Sequence, residues 1–547
     1  MADGSHGFNF PRPQASRLRT GEIVIDLFAG GGGASEALKQ AIGIDPALAY
    51  NHDEWAIGMH AANHPLTIHH REDIWHADPR VDVAGRKVGW FHFSPDCTHF
   101  SQAKGGQPRS RKIRALAWVA AKWIGQLAKV GLAPRIVSME NVWQMLSWCP
   151  LVAKRDRATG RVLKMDGTVA AKGERVPVQM QQLVPDKKRL GETWRRFVAV
   201  LRSFGYVVEW RKLVASDFGA GTSRERLFLI ARRDGEPIAW PEPTHGKRFG
   251  LAPLVTAADC IDFSDLGRSI FDRPRPLADA TMRRIAKGLV KHVLQADEPF
   301  YLTEFANAGQ GGRTWSAAEP LRTQCAKVKG GHFALIAPAL VKFRGASIGH
   351  PITDPVPTIT SGGGAQRPAG AAHALAVMTA FLEQACAGYY AGAGKDLREP
   401  APTICAKGSI QRLVSAELAE LTPDPEAGAA RVAAFLMRYY GEGGQWGDLR
   451  NPLPTVTTRD RMALVTVHIQ GTPYVIVDIR LRMLKPAELF RAQGFPARYV
   501  IDRTADGRPI STSAAVRMVG NSVSPPPLRA IAEANLDPVT FRMATAA

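Results

Sequence analysis

A cysteine, a glutamate, a pair of arginines and a run of glycines stand in this chain where side chains and backbone could do chemistry. Cys97 follows the short apolar run Val88 to Phe93, inside Ser94-Pro95-Asp96-Cys97-Thr98-His99. Such a run reads as a buried strand ending in a turn, and α/β sheets build their sites at strand ends of this kind. Pro95 stiffens the turn, and an ionised thiol there could act as a covalent nucleophile. Glu140 closes a second apolar run, Ile136 to Val142, and could serve as a general acid. Arg224 and Arg226 lie two apart, so on one strand they would point the same way and could fix a carboxylate or a nucleotide by bidentate bonds. The fourth element is Ile23 to Gly33, where a strand runs into Phe28-Ala29-Gly30-Gly31-Gly32-Gly33. Glycines at that place let backbone approach a ligand while the next helix turns its N-terminus toward it. Each feature alone is a weak signal; the ordered set is a strong one.

Six stretches carry a resemblance: DLFAGGGGASEAL, SPDCTHFS, MENV, SRERLFLI, RMLKPAELFRAQGFP and VGNSVSPPPL, in that order along the chain. On them the chain resembles the DNA (cytosine-5)-methyltransferase family over roughly 22–146, 194–233 and 478–534. The resemblance implies an α/β, Rossmann-like S-adenosylmethionine-dependent methyltransferase core with a large, mostly β target-recognition insert. It implies S-adenosyl-L-methionine as cofactor and double-stranded DNA as partner, with the target cytosine turned out of the duplex. Cys97 would add to carbon 6 of that cytosine and make carbon 5 nucleophilic, while Glu140 would bond the ring at nitrogen 3 and its amino group. Arg224 and Arg226 would hold the glutamate and the target nucleotide. Phe28, Ala29, Gly30 and Gly32 would form the cofactor loop, with Pro95 beside it. Asn521, Ser522 and Val523 would return to the same pocket from the far end of the chain. Asp73, in Glu72-Asp73-Ile74, would meet the adenine amino group.

The chain departs from the family pattern at three places. The carboxylate that usually bonds the ribose is replaced by Asn51, so either this amide or nearby Asp53 takes the contact. The usual proline ahead of the nucleophile is Asp96, which would raise the thiol pKa if the two side chains faced each other; from a turn they are expected to diverge. The usual glutamine ahead of the arginines is Thr222. These departures leave two other classes open: the same chemistry on RNA or with a modified methyl donor, and a catalytically weak DNA-binding protein.

The elements that must position these groups follow from periodicity. Strands are expected at 21–28, 47–50, 88–93, 136–142, 207–213 and 474–479, and helices at 34–42, 114–130, 194–206, 482–496 and from 528. Leu116, Val119, Trp123 and Leu127 mark the core face of the second helix. The expected organisation is an extension at 1–20 and a catalytic domain at 21–239 containing a basic, hairpin-like insertion at 151–190. A target-recognition region follows at 240–477, and 478–547 carries the last motifs back to the catalytic domain. The loop after Cys97 holds Lys104, Gly105, Gly106, Arg109, Arg111, Lys112 and Arg114, suited to hinge motion and phosphate contact. A basic amphipathic helix is expected at 283–292. The recognition region repeats a proline-threonine phrase, at Glu319–Thr323, Asp354–Thr358, Glu399–Thr403 and Asn451–Thr455. Proline-led turns feeding short strands, such as 332–336 and 461–465, suggest a repeated β unit whose loops enter the major groove.

Bulk numbers bound the reading. The 547 residues are 45% hydrophobic and 22% charged, ordinary for a globular protein. Seventy Lys and Arg against 50 Asp and Glu give a net charge of +20, which favours a polyanionic partner. The six cysteines form no Cys-x-x-Cys pair, which argues against a zinc ribbon and a disulfide framework. No apolar run approaches a membrane span. The expectation is a cytoplasmic monomer in a restriction-modification or phage-protection setting, holding no metal.

Overall fold

The computed structural model describes residues 14–97, 99–100, 110–246 and 484–536, most of 248–285 and, between 301 and 483, the strands. The glycine loop after Cys97 at 101–109, the helix expected at 283–292, the strands expected at 332–336 and 461–465, and nearly all of the proline-threonine phrases lie outside the described residues. The chain divides into two compact units. The first comprises residues up to Phe218, Glu225–Thr244 and the stretch from Gly494; the second comprises Gly219–Arg224 and His245–Gln493.

The first unit is built on a seven-stranded sheet: β1 (Glu22–Leu27), β2 (Leu48–Tyr50), β3 (Ile68–His70), β4 (Lys87–Phe93), β5 (Ile136–Asn141), β6 (Val207–Val214) and β7 (Glu225–Arg232). The spatial order is β3-β2-β1-β4-β5-β7-β6, with β7 antiparallel to both neighbours and the strands from β3 to β5 parallel. Central parallel strands are covered on both faces, which is why β1, β4 and β5 are buried almost throughout, their polar residues included. Alternation along β1 shows the consequence: Ile23, Ile25 and Leu27 enter one hydrophobic layer and Val24 the other. Two polar side chains inside β4 are partnered by one hydroxyl: Trp90 Nε1 donates to Ser138 Oγ at 2.9 Å, and His92 Nδ1 lies 2.8 Å from it. Burial pushes the His92 pKa down to about 3, so the ring stays neutral.

Helices cover both faces: α1 (Gly33–Ile42), α2 (Glu54–Asn63), α3 (Ala117–Lys129), α4 (Glu192–Ser203), α5 (Thr512–Asn521) and α6 (Pro525–Asn535). On α3, Val119, Trp123 and Leu127 are fully buried, as the spacing predicts. The helix expected from Leu528 starts earlier because Pro525 occupies its first turn, where the missing N–H costs nothing. Leu38, Ala41 and Ile42 of α1 share one layer with Leu528, Ile531 and Ala532 of α6, so both ends of the chain close one core. Asn535 fastens this closure, donating to Ala239 O at 2.7 Å and accepting from Ala239 N at 3.0 Å. Ahead of β1, Arg17 N donates to Ile42 O at 2.8 Å and Gln14 Nε2 to Asp45 Oδ2 at 3.1 Å.

Between β5 and α4 the chain makes a small meander. Leu151–Ala153 pairs antiparallel with Leu183–Pro185, and single bridges join Arg155 to Val162, Leu163 to Val169 and Lys164 to Gln181. Asp166-Gly167 forms one of its turns, with Gly167 at φ 90° and the Asp166 carboxylate accepting from Thr168 N at 2.8 Å.

Among the described residues, the second unit contains a seven-stranded antiparallel sheet whose long members are Leu375–Gln384, Gln411–Glu420 and Thr472–Met483. The helix expected at 482–496 is shorter, Pro486–Ala492. Arg482 belongs instead to the last strand, and its guanidinium meets Glu488 at 2.8 Å. Glu488 also accepts from Lys485 N at 2.6 Å and Asp262 N at 2.9 Å, closing a capping box on the helix that Pro486 begins.

Gly33 shows how closely the chain ends meet. A Cβ there would stand 2.1 Å from Ser522 Oγ and 2.2 Å from Val523 O. Gly33→Ala is therefore expected to destabilise the first unit by about 1–3 kcal/mol, as overpacking does. Chemical denaturation checks this, and an unchanged midpoint would contradict the packing described.

Candidate active site

Register aligns the functional strand ends. Leu27 of β1 pairs with Phe93 of β4, and Phe93 pairs with Met139 of β5. The next residues, Phe28 and Ser94, therefore leave β1 and β4 side by side at the sheet's C-terminal edge, next to Glu140, which is still paired with Phe228 of β7; open α/β sheets hold ligands at this edge. Ser94 N donates to Leu27 O at 3.2 Å and Ser94 Oγ to Phe28 O at 3.4 Å. On the other side, Asn141 Nδ2 donates to Pro95 O at 2.9 Å. Asn141 is fully buried and was not among the residues singled out from sequence. An amide at the end of a strand that the sequence marks as buried is the signal that could have found it, because a buried amide needs partners.

Cys97 is half-buried and packs against the main core cluster, as does Phe28, whereas Asp96 is exposed. The two neighbouring side chains thus have different surroundings, as a turn dictates. Behind Cys97 the chain is anchored: Cys97 O accepts from Phe100 N at 2.9 Å, and Phe100 packs edge-on against Trp148 at 5.6 Å. Arg114 lies over the Phe100 ring at 4.7 Å and donates to Cys149 O at 3.0 Å.

Glu140 is buried, and Arg226 Nε stands 3.0 Å from its Oε1. Buried charges persist when paired, and losing one partner leaves the other stranded. The expectation of two arginines on one strand needs correcting. β7 begins at Glu225, so Arg226 lies in the ladder, while buried Arg224 precedes it and belongs to the second unit.

The glycine loop has a left-handed backbone at Phe28 (φ 65°), Gly30 (φ 54°) and Gly32 (φ 94°). Ala29 N is held by Tyr50 O at 3.1 Å. A Cβ on Gly32 would lie 2.1 Å from the Tyr499 hydroxyl, whereas one on Gly30 would meet nothing closer than 3.9 Å. The loop is thus packed from behind by the C-terminal stretch and open at Gly30, as a ligand-approach loop requires. Ser522 and Val523 are buried against Gly33, and Asn521 is exposed. Asn51 Oδ1 accepts from Asp53 N at 2.8 Å. Asp53 is engaged as the α2 cap, accepting from Trp55 N and Ala56 N at 3.0 Å, and pairs with Arg517 at 2.8 Å. Asp73 is exposed, with its carboxylate on Trp75 N at 3.1 Å.

A sequence model of the C-5 cytosine-specific DNA methylase family matches residues 23–148, 181–287 and 407–536. The chain belongs to that family. The family methylates cytosine at carbon 5 in DNA and takes its methyl group from S-adenosylmethionine. Among curated relatives, the chain is 26% identical over 277 residues to the type II methyltransferase M.AgeI of Thalassovita gelatinovora, covering 49% of this chain and 51% of that protein. It is 26% identical over 255 residues to M.AquIA of Picosynechococcus, covering 44% of this chain and 87% of the relative. The chain thus spans about half of the first relative's length. A solved Dnmt2 methyltransferase of S. pombe is 14% identical with a TM-score of 0.41, covering 95% of this chain and 99% of that one, a likeness too loose to bear on mechanism. No described helix is long and apolar enough to cross a membrane.

The glycine loop rests on a chain of buried polar groups, two of which, Asp26 and Ser35, stand within its own motif. Asp26, fully buried, accepts from Ser35 Oγ at 2.7 Å; His60 Nε2 is 2.8 Å from that hydroxyl, and His60 Nδ1 is 2.8 Å from His69 Nε2. Beside this chain, His64 Nδ1 lies 2.9 Å from Asp45 Oδ1, Lys39 reaches the same oxygen at 2.8 Å, and Tyr499 donates to Gly31 O at 2.6 Å. Burial raises the Asp26 pKa from 3.8 to about 7 against the opposing hydrogen bonds from Ser35. Burial would raise Asp45 too, but the bonds from His64 and Lys39 outweigh it and hold the carboxyl at about 2. Linkage then gives opposite signs. Asp26 contributes stability below pH 3.8 that is lost as pH rises through about 7, so Asp26→Asn should gain on the wild-type chain across that window. Asp45 contributes stability above pH 3.8 that is lost as pH falls through about 2, so Asp45→Asn should match the parent in acid and trail it at neutral pH. Denaturation midpoints measured across pH check both, and parallel profiles for the two variants would contradict the assignment.

Proposed function

We propose that this chain methylates carbon 5 of a cytosine turned out of duplex DNA, through a transient bond to Cys97. The observation that carries the reading is the shared register of β1, β4 and β5, which sets the glycine loop, the Cys97 turn and the Glu140–Arg226 pair along one sheet edge. Phe28, Ala29, Gly30 and Gly32 suit the cofactor, with Asn51 and Asp73 toward its nucleoside part and Ser522 and Val523 bracing the loop. Asp53 caps α2 and acts on that pocket through position. When bound, S-adenosylmethionine supplies a methyl group made electrophilic by its sulfonium.

The protein's own groups do the rest. The Cys97 thiolate adds to carbon 6 while Glu140 donates a proton or hydrogen bond at nitrogen 3, so the π electrons of the carbon 5–carbon 6 bond shift to carbon 5 and make it nucleophilic toward the methyl group. Arg226 keeps the Glu140 carboxyl aimed, since its guanidinium is held across the ladder. Carbon 5, once methylated, gives its proton to a base, and the Cys97–carbon 6 bond breaks to restore the aromatic ring and the free thiolate. Arg224 is assigned to the target nucleotide. The recognition region at 240–477 reads sequence with its β units, and the stretch from Gly494 closes the pocket from behind. A monomer acting in the cytoplasm on duplex DNA fits the basic balance of the chain.

Covalent trapping tests this. Duplexes carrying 5-fluorocytosine, mixed with protein and S-adenosylmethionine, should give a denaturation-resistant adduct that Cys97→Ser abolishes. Glu140→Gln should slow methyl transfer on ordinary duplex by roughly 100- to 10,000-fold while leaving DNA binding in place. A duplex library that binds but never yields an adduct would overturn the reading.

A further inference from the structure

The meander at 151–190 is basic beyond what its own fold uses. It carries ten Lys and Arg against four Asp and Glu. All four acids are spent internally. Asp156 accepts from Thr159 N and Oγ at 2.8 Å, and Asp166 accepts from Thr168 N at 2.8 Å and Oγ at 2.7 Å. Asp186 takes Lys188 N at 3.0 Å and Arg189 Nε at 2.9 Å, and Glu174 takes Ala171 N at 2.7 Å and Lys164 at 2.6 Å. Arg157, Lys172, Arg175 and Lys187 are exposed, and no described residue forms an ion pair with their side chains. Like charges crowded on one small element repel, and an outside polyanion relieves that cost.

Its placement points the same way. The meander leaves the sheet from the β5 end that carries Glu140, and its base is tied to the segment that follows the nucleophile. Arg114 joins the two, stacked on Phe100 at 4.7 Å and bonded to Cys149 O at 3.0 Å. Asp186 N closes the base on Pro150 O at 3.0 Å, and Thr193 N on Trp148 O at 3.0 Å. These ties make the meander a firm arm rooted at the catalytic edge.

We propose that this arm grips the phosphate backbone of the duplex beside the target base, adding a sequence-independent hold to whatever the recognition region reads. The inference rests on duplex DNA as the substrate. Each phosphate neutralised lowers the slope of log affinity against log salt by about 0.9.

Two full-length variants test it. One is R157Q/K172Q/R175Q/K187Q, which leaves the internal pairs intact. The other replaces residues 154–182 with Asn-Gly between Ala153 and Leu183, which are already register partners. Binding to a random-sequence duplex of about 30 base pairs would be followed between roughly 50 and 200 mM salt. The expected result is a salt slope shallower by about 2–4 in both variants, affinity weaker by roughly tenfold or more, and an unchanged kcat at saturating DNA. A wild-type slope in both variants, or a change seen with duplex RNA and absent with DNA, overturns the proposal. The 5-fluorocytosine adduct, measured on the same proteins, separates the two readings. An adduct with an unchanged slope removes the arm alone, and a changed slope without an adduct keeps the arm and removes the methyl-transfer reading.

Discussion

Three parallel strands ending in step is the constraint on which the site depends. Leu27, Phe93 and Met139 are cross-strand partners, so the glycine loop, the Cys97 turn and Glu140 come to one edge without any side chain having to reach. Parallel register is fixed by what is buried on both faces, and a one-residue slip of β4 would turn its side chains to the opposite layer. The core that holds Trp90, Phe91 and Phe93 therefore also sets where Cys97 stands. The two bonds from Ser94 and the one from Asn141 then stitch neighbouring turns at their first residues. Geometry at the edge is inherited from packing below it.

The glycine loop illustrates the opposite economy, since it is held by polar groups in a dry interior. Tyr499 bonds Gly31 O, and the Asp26–Ser35–His60 chain lies beneath. Every such group is costly if left alone and firm once partnered. Here the partners come from distant parts of the chain, so the loop reaches its shape only when the C-terminal stretch has docked. That dependence explains why Gly32 and Gly33 tolerate no side chain: the space a Cβ would need is filled by Tyr499, Ser522 and Val523.

What the sequence disclosed follows from which forces are local. Strand ends and helix faces are written in periodicity, and Cys97, Glu140 and the Phe28–Gly32 loop could be placed because each follows an apolar run. The extent of β7 was legible only in part, since nothing in Thr222-Ser223-Arg224-Glu225-Arg226 says where a ladder begins. The same holds for Arg482, which joins a strand because Glu488 and Asp262, one of them far away in sequence, satisfy its guanidinium. The sequence left the ribose contact open between the amide of Asn51 and the carboxylate of Asp53; the cap on α2 and the Arg517 pair show Asp53 already engaged. Asp45 and Tyr499 carried no motif, because a buried polar cluster is defined by who meets in three dimensions.

The first unit is assembled from three separated stretches of chain, yet its closure is self-contained. Asn63 Nδ2 donates to Val500 O at 2.8 Å, Val500 N returns to Asn63 Oδ1 at 2.8 Å, and Asn535 binds both backbone groups of Ala239. Reciprocal amide pairs of this kind demand both partners in one orientation, so they fix position as well as add stability. Because these ties bind the three stretches of the first unit to one another, chain can be inserted between them without entering the core. The meander uses that freedom in miniature, leaving at Cys149 and returning at Thr193 across a base closed by backbone bonds. A long stretch between β7 and Gly494 meets the same condition, since Arg232 and Asn535 hold the unit shut on its own side. In such an architecture the core keeps its geometry through its own closure, whatever chain is inserted between its stretches.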